Sequence, residues 1–459
     1  MPSFLNIFLF VGLLASLVLA APQIIQKRSF KVERVKNANF KGHDGPGQLL
    51  KTYQKFYMPV PPALLDAIHN KGKPKTPETN DAFATEATSS AKASKTGKKK
   101  GKGRKGKGGG GNAIGGGNNG TTTPDTGNST AGVGLVTATP EAGDVEYLSP
   151  VTIGGQTLNL DFDSGSSDLW VFNSQLSAKA LAGRDTVYDP AQSSSFKMIQ
   201  GASFSISYGD GSGAAGNVGT DTVVIGGATV TQQAVELATA VSQSFISDKA
   251  NNGLLGLAFS KLNTVQPQQQ KTFFDNVLPS LAEPVFTADL RKNAVGAYEF
   301  GRIDTAKFTG DMAWVPVNTS QGFWQFATSG FAVGDGQQQQ TTTTAQAIAD
   351  TGTTLILTSQ EVADGYYSQV TGAQNDAQVG GVTFPCDAEL PDLILDVGGV
   401  YQARVKGEDI NFAQVEGNTC FGGVQPTTSE LQIWGDIFFK SQFVAFNGGN
   451  NSLGMAQHV

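Results

Sequence analysis

Short apolar runs separated by glycine and asparagine fill the chain from about residue 147 onward. The runs are rich in Val, Ile, Phe and Thr, and many alternate apolar with polar positions, as half-buried strands do. Long amphipathic helical runs are scarce in this part of the chain. The pattern therefore predicts an all-β fold built from many short strands.

Two of these runs end in the same short motif. Residues 160–167 read LDFDSGSS and residues 347–354 read AIADTGTT, so each run ends in Asp, a hydroxyl residue, Gly and two more hydroxyl residues. A single Asp-Ser-Gly is an ordinary turn. Two copies that each follow a strand-like run, with Asp163 and Asp350 187 residues apart, are a much more specific signal.

The repeat extends beyond the two turns. Each is followed by an apolar-apolar-Gly triplet, LLG at residues 254–256 and IWG at residues 433–435. A pattern repeated at long spacing indicates a duplicated lobe. A two-fold arrangement of such lobes would place Asp163 and Asp350 face to face, so we expect a bilobal protein with a cleft between related β-lobes.

These motifs resemble those of the pepsin-like aspartic endopeptidases, in the style of the secreted fungal aspergillopepsin type. The resemblance runs from about Thr137 to the C-terminus. One departure is Ser164, where threonine is commoner in the family, but serine keeps the hydroxyl group. The resemblance implies a pepsin-like bilobal fold, peptide bond hydrolysis, a monomer and inhibition by pepstatin-type compounds.

The resemblance also covers a flap. Residues 208–212 read YGDGS and resemble the tip of the family's flap, which implies that Tyr208, Gly209 and Asp210 contact substrate. Trp170 matches the tryptophan that hydrogen-bonds the flap tyrosine. In similar fungal enzymes an acid at the position of Asp210 admits lysine before the cleaved bond. We therefore expect bulky apolar residues at the cleaved bond, with lysine tolerated before it.

Paired aspartates would supply the chemistry. Two carboxylates about 3 Å apart cannot both ionise, so the pair shares one proton. The charged member, Asp163 or Asp350, would act as a base on a water held between them, while the protonated member donates to the scissile carbonyl oxygen. This mechanism requires no metal, cofactor or covalent intermediate, and none is expected.

The residues next to each aspartate have expected roles too. The glycines allow a tight turn and offer N–H groups to the carboxylates. By the resemblance, the first hydroxyl after each aspartate hydrogen-bonds across the lobe boundary. The hydroxyl after each glycine then binds the outer aspartate oxygen, with plain loop solvation as the alternative. The supporting residues are Ser164, Gly165, Ser166, Thr351, Gly352 and Thr353.

Two further acids lie near the motifs. Asp161 is on the same strand face as Asp163, but the family uses only the aspartate before the hydroxyl and glycine, so Asp161 is interpreted as structural. Asp436 follows the second apolar-apolar-Gly triplet. The resemblance places it behind the aspartates, where it would favour work at low pH, and a surface turn is the alternative.

Composition excludes several other mechanisms. Of three histidines, His43 and His69 lie upstream of the repeat and His458 is the penultimate residue, which leaves little for a Ser-His-Asp triad or a His-ligated zinc site. In a secretory context, Cys386 and Cys420 predict one disulfide. Two free buried thiols are the alternative.

The start of the chain predicts export. Residues 4–19 are apolar and lead to Ala20, which is the pattern of a signal peptide at residues 1–20, although no Lys or Arg precedes it. The stretch is too short to span a bilayer, and no later segment is apolar enough to do so. A secreted, extracellular protein is expected, with a vacuolar destination as the alternative.

The charge changes sign along the chain. Residues 21–130 carry 20 Lys and Arg against 7 Asp and Glu, whereas the remainder carries 13 against 32. Such asymmetry indicates a basic tail with an acidic partner, and the resemblance implies a propeptide that inhibits its own acidic cleft. Lys36 or a neighbour is predicted to pair with the aspartates. The two lobes are then expected at 131–330 and 331–459.

Several alternatives remain at this level. The Lys/Gly-rich segment at residues 98–107 invites a nucleic-acid partner, which we disfavour because it has no aromatic residues for stacking. A catalytically inactive binding protein of the same fold and a two-carboxylate glycosidase are the other function classes. Among the Asn-X-Ser/Thr sequons, Asn318 and Asn450 are predicted to carry glycans.

Overall fold

A computed structural model describes residues 29–33, 44–70, 133–136, 147–207, 213–294 and 296–459. For residues 29–33 and 133–136, only the course of the backbone is described. The proposed signal peptide, the Lys/Gly-rich segment and the flap tip at Tyr208, Gly209 and Asp210 lie outside these ranges.

Strands dominate the described ranges, which contain 25 strands, eight α-helices and five short 3₁₀ helices. The strands are β1 (Ser29–Glu33), β2 (Val133–Val136), β3 (Leu148–Ile153), β4 (Gln156–Asp163), β5 (Leu169–Phe172), β6 (Lys197–Ser207), β7 (Gly213–Ile225), β8 (Ala228–Val241), β9 (Gly253–Gly256), β10 (Val285–Asp289), β11 (Ala297–Phe300), β12 (Phe308–Pro316), β13 (Gln325–Val333), β14 (Gln339–Ala349), β15 (Ile356–Ser359), β16 (Gln374–Asp376), β17 (Gly381–Pro385), β18 (Leu393–Val397), β19 (Tyr401–Val405), β20 (Asn411–Glu416), β21 (Thr419–Gly422), β22 (Val424–Thr427), β23 (Leu431–Trp434), β24 (Gln442–Asn447) and β25 (Ser452–His458). The helices are α1 (Gly45–Lys55), α2 (Pro62–Asn70), α3 (Ala178–Leu181), α4 (Gln243–Ser247), α5 (Phe273–Val277), α6 (Gln360–Tyr367), α7 (Gly407–Ile410) and α8 (Asp436–Phe439).

The first large sheet carries the first motif. Its strand order is β3-β4-β9-β5-β8-β7-β6, and β3 also pairs with β7. Leu158, Leu160 and Phe162 alternate along β4 and are all buried, as the period-2 side-chain direction of a strand requires. The apolar face of β4 thus packs into the core, and Asp163 ends the strand.

The second half repeats this arrangement. Its main sheet has the order β19-β18-β13-β14-β23-β15-β22, beside a smaller sheet β16-β17-β21-β20. In the first half β4 runs parallel to β9, and in the second β14 runs parallel to β23. Each motif strand is therefore paired with the strand of its apolar-apolar-Gly triplet. The predictions of an all-β fold and of duplicated lobes are confirmed.

The predicted boundary between residues 330 and 331 needs a correction. It falls inside β13, which pairs with β14 and β18, both of the later sheet. A strand cannot be divided between two lobes without breaking its ladder, so the second half begins before Gln325. The sequence motifs mark the turns well but give no signal for the passage between lobes.

A third large sheet joins the two halves, with the order β12-β25-β24-β10-β11-β1-β2. It combines the earliest described strand, β1, with the last one, β25. Phe286 on β10 stacks on Phe446 of β24 with ring centroids 4.3 Å apart, and Trp324 packs edge-on against Phe446 at 5.3 Å. Aromatic side chains of this size bury large apolar areas, so this layer forms much of the core beneath the cleft.

The two cysteines form the predicted disulfide. Cys386 and Cys420 are bonded, with Cα atoms 4.9 Å apart and a sequence separation of 34. Closing a loop of this length stabilises the fold by roughly 4 kcal/mol in the chain-entropy model. The bond fastens the end of β17 to β21 in the smaller sheet.

Candidate active site

The two motif aspartates meet at one point. Asp163 ends β4, Asp350 directly follows β14, and both side chains are buried. The ammonium of Lys55, the last residue of α1, lies 2.7 Å from Asp163 Oδ1 and 2.8 Å from Asp350 Oδ2. Because both carboxylates touch one nitrogen, the structure brings together the pair that the repeat predicts.

The turn residues hold the carboxylates in place. Gly165 N donates to Asp163 Oδ1 at 2.8 Å, and Gly352 N donates to Asp350 Oδ1 at 3.1 Å. A Cβ atom on Gly165 would lie 2.5 Å from Asp350 Oδ1 and 2.7 Å from its Cγ. Glycine is needed here because the backbone of one turn lies against the carboxylate of the other.

Hydroxyl groups bind the outer oxygens of both aspartates. Ser166 Oγ donates to Asp163 Oδ2 at 2.6 Å, and Thr353 Oγ1 donates to Asp350 Oδ2. Hydrogen bonds to an ionised carboxylate favour its charged form. Each of these hydroxyls therefore contacts the aspartate of its own turn.

A reciprocal set of hydrogen bonds ties the two turns together. Ser164 Oγ donates to the carbonyl oxygen of Ala349 at 2.8 Å, and Thr351 Oγ1 donates to that of Phe162 at 2.7 Å. Ser164 Oγ also accepts a hydrogen bond from Thr351 N at 2.9 Å, and Thr351 Oγ1 accepts one from Ser164 N at 3.1 Å. Serine at position 164 therefore makes all the contacts that its threonine counterpart makes.

Burial and charge divide one proton between the aspartates. Burial alone would raise the pKa of Asp163, but the charge and hydrogen bond of Lys55 hold it below its usual range. Burial raises the pKa of Asp350, and the charge of Asp163 raises it further against the opposing effect of Lys55. Burial would lower the pKa of Lys55, but the two carboxylates raise it. When Asp350 holds the proton, the positive charge of Lys55 and the negative charge of Asp163 cancel, and the three groups together carry no net charge.

Lys55 was not the lysine that the sequence pointed to. Lys36, the predicted partner of the aspartates, lies outside the described residues, and the cation between the carboxylates is Lys55. Lys55 ends α1, a helix that begins after Asp44, whose side chain accepts from Gly47 N. Leu49 and Tyr53 on that helix are buried, so the helix packs into the core and carries Lys55 with it.

The segment around Lys55 is anchored on both sides of the cleft. Tyr53 donates its hydroxyl to the carbonyl oxygen of Pro426 at 2.8 Å, and Tyr57 donates to that of Ser207 at 2.7 Å. Phe56 packs edge-on against Phe323 with ring centroids 5.7 Å apart. Residues 44–70, the leading segment, therefore hold Lys55 on the two aspartates.

Trp170 lies on β5 and is fully buried. Its ring packs against Phe172 at 5.7 Å and edge-on against Phe245 at 4.9 Å. Its expected partner Tyr208, together with Gly209 and Asp210, lies outside the described residues, so the flap contact stays a prediction.

The two further acids both lie in the interior. Asp436 is buried, and its N–H donates to the carbonyl oxygen of Thr353 at 2.7 Å. This position is directly behind the turn of Asp350, which argues against a surface turn. Asp161 is also buried and pairs with Leu148 across the β3–β4 ladder.

Other expected features can be placed as well. Asn318 and Asn450 are both exposed, and their glycosylation stays a prediction. Nowhere in the described ranges do three or more His, Cys, Asp or Glu side chains group as a metal site would need. The helices of those ranges include none with the length and apolar character needed to cross a membrane.

Comparison with known proteins agrees with this geometry. Residues 146–458 match the family described as eukaryotic aspartyl protease. Aspartic protease PEP3 of Coccidioides posadasii is 42% identical over 467 residues, covering 99% of this chain and 96% of that protein. Aspergillopepsin-1 of Aspergillus flavus is 50% identical over 329 residues, covering 71% and 80%, and penicillopepsin-1 of Penicillium rubens is 50% identical over 338 residues, covering 73% and 84%.

A solved structure supports the fold. The crystal structure of the aspartic proteinase from Irpex lacteus matches with a TM-score of 0.57 at 21% identity, and the match covers 68% of this chain and 94% of that one. Two related β-halves and matching relatives along nearly the whole chain point to one conclusion. This chain belongs to the eukaryotic aspartyl protease family and is a pepsin-like aspartic endopeptidase.

Proposed function

We propose that this chain is a secreted acid endopeptidase, synthesised as a zymogen, in which Asp163 and Asp350 activate water for attack on a peptide bond. The observation that carries the proposal is the convergence of the two buried carboxylates on one position, which the Lys55 ammonium occupies.

That position also suits the catalytic water. Lys55 Nζ lies 2.7 to 3.0 Å from three oxygens of Asp163 and Asp350, which are hydrogen-bonding distances for a water molecule too. When Lys55 leaves, the pair would hold one proton and one negative charge between them at acid pH. A water bound there would have a base on one side and an acid on the other.

The reaction then needs only proton transfers. The charged carboxylate takes a proton from the water as the water oxygen bonds to the peptide carbon, and the protonated carboxyl gives its proton to the carbonyl oxygen. The tetrahedral intermediate collapses when the proton taken from water passes to the amide nitrogen. The C–N bond then breaks, and the other carboxylate recovers its proton from the carbonyl oxygen.

The zymogen part of the proposal rests on the leading segment. Lys55 neutralises the pair and excludes water from it, and Tyr53 and Tyr57 fasten the segment on either side. Because Lys55 holds the pKa of Asp163 low, the ion pair stabilises this docked state above the ordinary Asp pKa. That stabilisation is lost as the pH falls through the lowered value, so acid releases the segment.

A hydrolysis assay tests the proposed function. The full-length protein, treated at about pH 3.5, should degrade denatured haemoglobin, and pepstatin should abolish the activity. A soluble polysaccharide should stay intact under the same conditions. Cleavage of the polysaccharide would indicate a glycosidase. Absence of any hydrolysis by protein from which residues up to about 130 have been removed would indicate a binding protein of the same fold.

Substrate preference is the finer part of the proposal. Bulky apolar residues would flank the cleaved bond, and Asp210 would pair with a lysine before it. Asp210→Ala should lower cleavage of lysine-containing peptides relative to phenylalanine-containing ones by about 10-fold, because an ion pair in a closed site contributes about 1–2 kcal/mol. Asp185→Ala removes an exposed acid of the same half and should leave the ratio of kcat/KM values unchanged. An unchanged ratio in Asp210→Ala would refute this role.

Secretion, glycosylation and a monomeric state complete the proposal. The apolar stretch before Ala20 supports export, and the exposed positions of Asn318 and Asn450 are compatible with attached sugars. Recovery of the protein from culture medium, with added mass at these two asparagines, would support secretion and glycosylation.

A further inference from the structure

A second pair of carboxyl groups lies in the interior of the first half, outside the catalytic pair. Asp168 precedes β5, five residues after Asp163, and Glu236 lies on β8 opposite Trp170 and Val218 of the two flanking strands. Asp168 and Glu236 are each 1% exposed. Acids this deeply buried are rare unless they are paired or neutral.

One oxygen of each carboxyl group is fully satisfied. Asp168 Oδ1 accepts from Thr264 N at 2.9 Å, from Thr264 Oγ1 at 2.9 Å and from Asn263 Nδ2 at 3.1 Å. The same Asn263 nitrogen lies 3.0 Å from Glu236 Oε1. A single amide group therefore bridges the two acids and holds them side by side.

The other oxygen of each group lacks a donor. Asp168 Oδ2 and Glu236 Oε2 are buried, and no described residue donates a hydrogen bond to them. Because one nitrogen, Asn263 Nδ2, lies 3.1 Å from Asp168 Oδ1 and 3.0 Å from Glu236 Oε1, the two carboxyl groups are neighbours. The other charge that acts on Asp168 is Asp163, which is also acidic. One proton held between two neighbouring carboxyl groups supplies the donor that such buried oxygens lack.

We infer that Asp168 and Glu236 share one proton, and that this proton positions the turn carrying Asp163. The backbone next to the pair supports the second part. Asn263 Nδ2 also contacts the carbonyl oxygen of Ser167 at 3.2 Å, and the carbonyl oxygen of Asp168 accepts from Gly256 N at 2.9 Å. The pair and its bridging amide thus fix the segment that follows the catalytic turn.

The shared proton makes this half sensitive to alkali. Burial, followed by the charge and hydrogen bond of Asp168, raises the pKa of Glu236 well above its usual range, and burial raises the pKa of Asp168. Both folded-state values lie above those of the unfolded chain, about 4. The pair therefore stabilises the fold fully below about pH 4, and this contribution declines as the pH rises to the folded-state values.

Amide variants provide the test. In Glu236→Gln, the side-chain N–H group can donate to Asp168 Oδ2, so the titratable proton is no longer needed. The side-chain oxygen of the glutamine can still accept from Asn263. Asp168→Asn supplies the same donor from the other side. The thermal unfolding midpoint of each full-length variant would be measured from about pH 4 to 8 beside the wild type. As the pH rises, the unfolding midpoint of both variants should increase relative to that of the wild type. The pH at which the midpoint falls on the alkaline side should be higher by about one unit in the variants.

Comparing variant with wild type removes the contribution of Lys55 and the catalytic pair, which all these proteins share. Glu283→Gln, at an exposed position, should show no relative gain. At about pH 4 both amide variants should keep a kcat within about three-fold of the wild type, because the amide replaces the bond made by the proton. After incubation at about pH 7, they should retain about 10-fold more activity.

The inference is overturned if both amide variants follow the pH profile of the wild type, or if both lose stability equally at every pH. The activity readout depends on the proposed function, whereas the unfolding midpoint needs no substrate. A shift in the midpoint without any proteolysis would therefore support the proton pair and contradict the proposed function. Proteolysis with an unchanged midpoint would support the proposed function and contradict the proton pair.

Discussion

The Asp163→Asn protein should cleave haemoglobin at about pH 3.5 at least 10³-fold more slowly than the wild type, and Asp350→Asn should behave in the same way. An amide can neither accept the proton of the attacking water nor share one with its neighbour. Removing one member of a coupled acid–base pair costs roughly as much as removing both. The assay is initial-rate proteolysis after acid treatment.

Asp161→Asn is the matched control. Asp161 lies two residues earlier on the same strand and is also buried, but it is outside the cleft pair. Its amide variant should retain activity within a few-fold. Equal losses in Asp161→Asn and Asp163→Asn would mean that the strand, and not the carboxylate, is what the substitution disturbs. Full activity in either Asp163→Asn or Asp350→Asn would remove that residue from the mechanism.

Lys55→Met should become active without strong acid. Breaking a buried ion pair by removing one partner costs about 3–5 kcal/mol, since it leaves the opposite charge uncompensated. The form of the full-length protein in which the leading segment has left the aspartates should therefore be populated about 10²–10⁴-fold more often at about pH 5.5. The rate of self-processing, followed by gel electrophoresis at several pH values, should rise accordingly and lose most of its pH dependence.

Lys51→Met provides the control for this experiment. It removes the same charge one helical turn earlier on α1 and should keep the wild-type pH profile. A Lys55→Met protein that stays intact at pH values where the wild type does, and matures only in strong acid, would contradict the proposed role of Lys55 in inhibition. The hydroxyl anchors of Tyr53 and Tyr57 would then carry the inhibition.

The two turns of the candidate site could be found from the sequence because their signals are local. The turn at Asp163 follows an alternating apolar strand, and the hydroxyl and glycine positions around it have fixed roles in any such turn. The second copy at Asp350 then located the partner. The disulfide was predictable because Cys386 and Cys420 are the chain's two cysteines.

The parts that were missed depend on burial that no short window of sequence shows. Lys55 and Lys36 are both lysines near apolar residues, and only the docking of α1 decides which one reaches the aspartates. The carboxyl pair of Asp168 and Glu236 joins residues from separate strands. Nothing near either residue signals that a shared amide, Asn263, will hold them together.

The order of the groups along the chain also determines the order in which a ribosome makes them. Lys55 is synthesised first, then Asp163, and finally Asp350, which follows Lys55 by 295 residues. At roughly 5–20 residues per second, the lysine is present about 15–60 seconds before the second aspartate. The third large sheet, which joins the two halves, is then completed by β25, the last strand to be made. Every stage of synthesis that contains both aspartates therefore also contains Lys55, the cation that the proposed function assigns to their inhibition.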